Sequence, residues 1–175
     1  MSSDVRRYAG INSGHMLDLV IRPTLARLAE IAGEARLSSE IAVALVFATG
    51  MQESHFFWMR QYPAGPARGF YQIEPRSHDD LWDNFLAHRP QLAEAVAAFS
   101  APQPTRVAQL SANLCYATAI CRLIYWRAPD ALPAAIGGEP LARFWKRHFN
   151  TESGKGEIPD FLENWRGFCA HHFKS

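Results

Sequence analysis

Glu53 is the residue whose setting in this sequence most favours acid–base chemistry. It follows an apolar run at residues 41–48 that would be hydrophobic on nearly every side of a helix. A helix of that kind belongs in the middle of a protein core. A carboxyl group at its end loses solvation, which raises its pKa and keeps it protonated near neutral pH. Glu53 is therefore predicted to be a general acid that donates a proton to a leaving oxygen.

A Gly-rich segment after Glu53 supplies the second half of this candidate site. It covers residues 65–75 and includes Gly65 and Gly69, which allow the backbone to turn close to the acid and to present amide and carbonyl groups to a ligand. Gln72 offers both a hydrogen-bond donor and an acceptor. A glutamate at a helix end and a Gly-rich turn are each more often structural than catalytic, so the prediction depends on their combination.

Together, the two pieces resemble motifs of the soluble lytic transglycosylases and goose-type lysozymes. Glu53 and Ser54 match the glutamate–serine motif of these families, and residues 69–75 match their Gly-x-x-Gln-Ile-x-Pro motif at a compatible distance.

Two further pieces follow in the order that these families show. Asn113 with residues 117–125 looks like their third motif, an Asn that opens a long helix. Phe149 and Asn150 stand where the families carry a Tyr–Asn pair facing the catalytic acid. Details such as residues 21–25 resemble a phage-encoded branch of this superfamily.

The resemblance implies a lysozyme-like fold that cleaves the MurNAc–GlcNAc β-1,4 bond of peptidoglycan, with Glu53 as its catalytic residue. It implies that the residues supporting the bound sugar are Ser54, Tyr71, Gln72, Phe149 and Asn150. No cofactor is expected, because proton transfer and positioning suffice for this chemistry. Phe149 departs from the family pattern, since it lacks the tyrosine hydroxyl that helps to hold the acid. Tyr71 and Tyr116 are the candidates to replace that hydroxyl.

The acids around Glu53 bear on which reaction the site would catalyse. The nearest ones in sequence are Glu40, Glu74, Asp79 and Asp80. An inverting hydrolase needs a second carboxylate to activate water. By resemblance, a lytic transglycosylase uses one Glu, first as acid and then as base, while the muramic acid 6-hydroxyl closes a 1,6-anhydro ring. The lack of a close acid favours transglycosylation. Glu74 is the candidate second acid of a hydrolase, although a charge at a helix start also explains it.

A function of a different class stays open at this point. The same fold could serve as a structural phage virion protein whose cleft binds glycan weakly or not at all, and Phe149 favours this alternative. A carboxyl of Glu53 that faces an open cleft would favour the enzyme, whereas a filled cleft would favour the structural role.

Other side chains with chemical potential are expected to be structural. His78, Asp79 and Asp80 match no metal-site spacing, and no metal is predicted; exposed helix positions explain them. Trp145 belongs with the tryptophans at helical spacing, for which core packing is expected. Most aromatic residues near the acid should be core, but one or two of them could line a sugar-binding cleft: Phe56, Phe57, Trp58, Tyr62, Phe70 and Tyr71.

The elements that position these residues are predicted to be helices. Apolar periodicity predicts a helix over 16–32, with a kink or restart at Pro23 and an end at Gly33, and a second helix that Ser38 or Ser39 caps and that runs to Gln52. Later helices are predicted to begin at Pro75 and to cover 91–99, 107–127, 141–149 and 159–173. Residues 62–69 form a turn region that can frame a short hairpin.

The predicted fold class is accordingly mainly α. We expect a single lysozyme-like domain over residues 1–175, with at most a short β-hairpin near the active site and with residues 1–14 as a candidate flexible arm.

Composition limits the classes of partner. The net charge is +1, and the 18 Lys and Arg residues are scattered among 17 acids, unlike the basic stripe of a nucleic-acid-binding protein. Neither a secretory signal nor a membrane-spanning stretch is found. The three cysteines have no metal-type spacing and are expected to be reduced. The expected partners are peptidoglycan glycan strands and other phage virion proteins. The protein is expected to reach peptidoglycan either as a virion component or after release through a holin.

Overall fold

The structure is a computed structural model that describes residues 10–150 and 154–173. Helices dominate these residues, and no β-sheet forms among them, which confirms the mainly α fold class. The turn region before Pro75 contains only isolated β-bridges, which join Arg68 to Arg60 and to Ile73. The short hairpin that the sequence allowed near the active site is therefore not formed as paired strands, and only these single bridges are present.

The first long helix changes its hydrogen-bonding pattern just before Pro23. A short helical turn (Ser13–His15) leads into a π-helical segment (Met16–Ile21), and the α-helix α1 (Arg22–Ala32) follows with the proline in its first turn. Proline lacks the N–H that a continuing helix needs, so the predicted restart is found at the expected position. Gly33 ends α1 in the left-handed conformation, with φ of 66°.

Helix α2 (Glu40–Ser54) lies in the centre of the core. Ser39 precedes it, but its hydroxyl donates to the carbonyl of Arg36 instead of capping the helix. The helix ends at His55, where φ is 54°, and Phe56 follows with φ of 51°. These two left-handed residues turn the chain back directly after the helix. The ring of Phe56 then packs against Gly50, and a Cβ at Gly50 would overlap that ring.

The long helix predicted over 107–127 is two helices. Helices α5 (Arg106–Ala112) and α6 (Leu114–Trp126) meet at a bend of 110°. Asn113 between them is extended, and its side-chain oxygen accepts a hydrogen bond from the Tyr116 N–H at 3.0 Å. The single-helix prediction was wrong because Asn prefers a helix cap to a helix interior. Asn113 does precede and cap a long helix, α6, as the sequence predicted.

The remaining helices lie within a few residues of their predicted bounds. Several of them end in 3₁₀ turns, which are common at helix ends, or in π-helical turns, which often occur at functional sites. In chain order they are α3 (Pro75–Asp80) with Leu81–Phe85 and Leu86–His88, α4 (Pro90–Ala97), α7 (Gly138–Trp145) with Lys146–Asn150, and α8 (Ile158–Asn164) with Trp165–Cys169 and Ala170–Phe173.

The part of the expected N-terminal arm that the structure describes is in contact with the helical core. The N–H of Ile11 donates to the carbonyl of Phe56 at 3.4 Å, and the Asn12 side chain accepts from the N–H of His15. Residues 10–14 are therefore tied to the chain reversal after α2. Residues 1–9 of the expected arm lie outside the described residues.

A membrane-spanning helix is not found among the described residues. No single helix there has both the length and the apolarity needed, although α5 and α6 pass that test when the bent pair is taken together.

Candidate active site

An open groove of about 760 Å³ passes the end of α2. Its lining comes from the last turn of α2, from the loop between α2 and α3 and the start of α3, from the end of α6, and from the end of α7 with the segment after it. It brings together five of the seven residues predicted to form the catalytic and sugar-binding site, namely Glu53, Gln72, Glu74, Phe149 and Asn150. These residues are far apart in sequence, so the fold assembles the groove.

Glu53 lies in the last turn of α2 and faces this groove. Most of its carboxyl group is surrounded by protein, and this burial raises its pKa to about 7. One oxygen, Oε1, accepts a hydrogen bond from the indole N–H of Trp145 at 2.9 Å, which acts in the opposite direction and lowers the pKa. A carboxyl group with this pKa can exchange a proton in either direction near neutrality.

Trp145 is a residue of the candidate site that sequence reasoning missed. It is 1% exposed and packs against Phe161, with 5.2 Å between ring centroids, as a core tryptophan would. Its N–H nevertheless reaches the acid, because a buried indole N–H needs an acceptor. The available signal was its place one helical turn before Phe149, which puts both residues on one face of the predicted helix.

Ser54 and Tyr71 do not line the groove, in contrast to the expected sugar contacts. The Ser54 hydroxyl is buried and donates to the carbonyl of Phe70 at 2.7 Å, while it accepts from the N–H of Phe56. The Tyr71 hydroxyl is buried against Thr118 at 3.0 Å. Through these hydrogen bonds, Ser54 links the Gly-rich segment to α2 and Tyr71 links it to α6.

Gln72 and Glu74 border the groove from the Gly-rich segment. Gln72 has a φ of 47°, and its amide nitrogen donates to the carbonyls of Gly69 and Trp58 at 2.7 and 3.1 Å. Both amide hydrogens are thereby used, so the side-chain oxygen is the atom left for a ligand. Glu74 is exposed beside it.

Gly69 lets the Gly-rich segment approach helix α5. Its φ is 69°, and a Cβ built on it would overlap the carbonyl oxygen of Leu110. The N–H of Gly69 donates to the carbonyl of Met59 at 2.9 Å and lies 3.2 Å from the hydroxyl of Ser111. Only glycine satisfies both the conformation and the close contact.

Among residues 10–150 and 154–173, no other tyrosine hydroxyl takes the place of the one that Phe149 lacks. The ring of Phe149 stacks on that of Tyr125, with centroids 5.4 Å apart, and the Tyr125 hydroxyl is bonded to Thr49. Tyr71 is bonded to Thr118, and Tyr116 lies in a separate network. The expected substitution by Tyr71 or Tyr116 is therefore wrong, and the donor to the acid is the indole of Trp145.

Asn150 is held at the groove by Lys146. The Lys146 ammonium donates to the side-chain oxygen of Asn150 at 2.9 Å and to the carbonyls of Gly154 and Gly156 at 2.9 and 2.8 Å. One half-buried cation thus holds the side chain of Asn150 close to the backbone of Gly154 and Gly156.

His78 is buried, contrary to the expectation of an exposed position. Its Nε2 lies 2.8 Å from the Tyr116 hydroxyl and its Nδ1 lies 2.9 Å from Asp79. Trp82 donates to the same hydroxyl at 2.9 Å. Within residues 10–150 and 154–173, no group of three or more His, Cys, Asp or Glu side chains could hold a metal ion.

Two solvent-exposed aromatic residues of the loop after α2 line the groove. Trp58 and Tyr62 are 44% and 71% exposed, and their rings stack with centroids 4.8 Å apart. Such a surface suits the apolar face of a pyranose. By contrast, Phe56, Phe70 and Tyr71 are core residues.

Comparisons with known proteins do not suggest a function for this chain, so the groove is the basis for proposing one. No family model matches the chain, and no curated protein or solved structure is significantly similar to it.

Proposed function

We propose that this protein cleaves the glycan strands of peptidoglycan, with Glu53 as the general acid and then the base of a lytic transglycosylase. One observation carries the proposal: a carboxyl group whose burial raises its pKa to about 7 faces an open groove. A protonated carboxylic acid at neutral pH is what protonation of a glycosidic oxygen requires.

The shape and lining of the groove support an extended sugar ligand. At about 760 Å³, it is large enough for more than one pyranose ring. It offers the stacked rings of Trp58 and Tyr62, and polar groups from Gln72 and Asn150. An open groove of this kind also favours an enzyme over a structural virion protein with a filled cleft.

The proposed reaction needs one acid that works twice. Protonated Glu53 donates its proton to the glycosidic oxygen while the bond from that oxygen to C1 of muramic acid breaks. The muramic acid 6-hydroxyl then forms a bond from its oxygen to C1 and gives its proton to the Glu53 carboxylate. The acid is restored, no water is consumed, and the product ends in a 1,6-anhydro ring.

The Trp145 hydrogen bond serves both halves of this cycle. Burial favours the neutral acid that begins the reaction, while the indole N–H stabilises the carboxylate that forms after proton transfer. Because the two effects oppose each other, the pKa stays near neutrality, where a group acts well both as acid and as base.

Hydrolysis is the second candidate, and the position of Glu74 is the observation that favours it. This exposed carboxylate lines the same groove as Glu53, and an inverting hydrolase uses a second carboxylate to activate water. If hydrolysis runs through Glu74, Glu74→Gln will abolish the formation of reducing muramic acid ends.

The proposal is tested by incubating purified peptidoglycan sacculi with the purified protein. Release of soluble, sugar-containing fragments is expected from the wild-type protein, and the loss of turbidity should follow the same time course. If the sacculi remain intact across the pH range 5 to 8, glycan cleavage by this chain is excluded.

The pH dependence of cleavage should report the bond between Trp145 and Glu53. With the pKa of Glu53 at about 7, the wild-type rate should fall above pH 7 by about tenfold per pH unit, because the acid loses its proton. Trp145→Phe removes a donor that stabilises the carboxylate. The pKa of Glu53 should therefore rise, and the alkaline limb should move upward by up to about one pH unit.

Trp165→Phe is the matched control for this variant. Trp165 is also buried, but it stacks on Phe173 and does not line the groove. Both variants lose indole packing, so only a shift that Trp145→Phe alone produces belongs to the hydrogen bond. Superimposable pH profiles for all three proteins would show that Trp145 does not tune the acid.

A further inference from the structure

His148 lines the groove beyond Trp145, and the proposed reaction leaves it without a role. It lies three residues after Trp145 in the π-helical segment Lys146–Asn150, and both side chains line the groove. Its side chain is only 10% exposed. A nearly buried imidazole at the edge of a groove has few possible hydrogen-bond partners, so its partners within the protein determine which ring nitrogen is left for a ligand.

Asp130 fixes one nitrogen of the ring. Nε2 of His148 lies 2.9 Å from Oδ2 of Asp130, and Arg147 donates to the same oxygen at 3.0 Å. The hydrogen bonds from Arg147 and His148 hold the pKa of Asp130 below its ordinary value, so this group is a carboxylate at neutral pH. A carboxylate only accepts hydrogen bonds, and Nε2 must therefore carry the hydrogen.

Packing fixes the plane of the ring. The imidazole lies against the ring of Phe144, with 4.5 Å between centroids. With Nε2 bonded to Asp130, Nδ1 is the other polar atom of this groove-lining ring. In the neutral ring this nitrogen carries a lone pair, and a side chain oriented by a carboxylate in this way is pre-organised to bind a donor.

We propose that Nδ1 of His148 accepts a hydrogen bond from a hydroxyl or amide N–H of an N-acetylhexosamine unit bound in the groove, with Asp130 as the residue that orients the ring. The inference rests on the proposed glycan function and adds a substrate-binding residue to it. A β-1,4-linked N-acetylated glycan supplies such donors on every ring. His148 would therefore distinguish a correctly placed sugar from an apolar or misaligned ligand.

Binding is best measured in the Glu53→Gln background, where the ligand is not consumed. The ligand is the tetrasaccharide formed by two GlcNAc–MurNAc units, titrated by calorimetry. His148→Gln lacks the ring acceptor, so we expect the dissociation constant to rise about tenfold, as expected for one hydrogen bond. Asp130→Ala removes the group that accepts from Nε2, so the ring is no longer oriented and binding should weaken in the same direction. His88→Gln, the same change at an exposed residue that does not line the groove, should leave the affinity unaltered.

A spectroscopic measurement keeps the inference testable if His148→Gln disturbs the fold. In the ¹⁵N spectrum of the Glu53→Gln protein, the Nδ1 resonance of His148 should shift upfield when the tetrasaccharide is added. A ligand that binds with equal affinity to the parent and to His148→Gln, without moving this resonance, would overturn the inference and leave the glycan function intact. A tetrasaccharide that binds none of the proteins would overturn the proposed function as well.

Discussion

Glu53→Gln should lower the release of soluble glycan fragments from sacculi by about 10³-fold, because the amide cannot donate a proton to the leaving oxygen. The change keeps the size of the side chain and its ability to accept the Trp145 N–H at Oε1. A zymogram and a turbidity assay at pH 6, where the wild-type acid is mostly protonated, are the measurements that show the effect.

The same variant should be more stable than the wild-type protein in alkaline solution. The folded-state pKa of Glu53, about 7, lies above its ordinary value of 4.5. Between these values the folded state binds more protons than the unfolded state, so the free energy of unfolding of the wild type falls as the pH rises through this window. The amide that Glu53→Gln introduces does not titrate, and the variant should therefore gain about 1–3 kcal/mol relative to wild type between pH 4 and pH 8.

These two results together separate catalysis from folding. A loss of cleavage accompanied by a gain in alkaline stability is the signature of a catalytic acid that is costly to bury. If Glu53→Gln still clears peptidoglycan at a rate close to the wild-type rate, another residue is the acid. If its stability runs parallel to that of the wild type from pH 4 to pH 8, Glu53 is not desolvated.

Gly69→Ala should remove most of the activity by a different route, through the shape of the groove. A left-handed φ costs an alanine about 1 kcal/mol, and the overlap with the carbonyl of Leu110 should add about 2 kcal/mol more. The free energy of unfolding should therefore fall by about 3 kcal/mol. The Gly-rich segment must shift, and Gln72, which bonds to the Gly69 carbonyl, would leave the groove with it.

Gly33→Ala is the matched control. Gly33 has nearly the same φ, 66°, and a Cβ there would meet nothing within 4 Å. We expect a loss of about 1 kcal/mol and unchanged cleavage, since only the backbone conformation is penalised. Denaturant unfolding gives both values. Equal losses for the two variants would show that the Gly-rich segment is not packed closely against α5.

The sequence was sufficient for the features that depend on local patterns. The apolar run before Glu53 predicts a buried helix that ends at an acid, and the structure has α2 in that place. Pro23 and Gly33 mark a helix restart and a helix end through their own backbone limits. Each of these conclusions needs only residues within a few positions of one another.

Features that depend on distant contacts were not visible in the sequence. The donor to Glu53 is separated from it by 92 residues, and the apolar setting of Trp145 gives no sign of an acidic partner. Ser54 and Tyr71 occupy motif positions, but their hydroxyls are bonded to Phe70 and Thr118 inside the protein. The motif segments border the groove, but the motifs assigned these two side chains the wrong surroundings.

The bend at Asn113 illustrates a second limit of sequence patterns. Apolar periodicity continues on both sides of this residue, so it predicts one helix where two are found. A single extended residue is enough to change the helix direction by 110°. The capping preference of Asn was the only local indication of that break.

Mass analysis of the fragments that the purified wild-type protein releases from sacculi tests the central proposal most directly. Attack by the muramic acid 6-hydroxyl is intramolecular and profits from a high effective concentration when the sugar is held in place. We therefore predict disaccharide-containing muropeptides that end in 1,6-anhydro muramic acid, each lighter by one water than its hydrolytic counterpart and absent from a Glu53→Gln digest. Fragments with reducing muramic acid ends, or fragments produced by cuts in the stem peptides alone, would contradict the proposal.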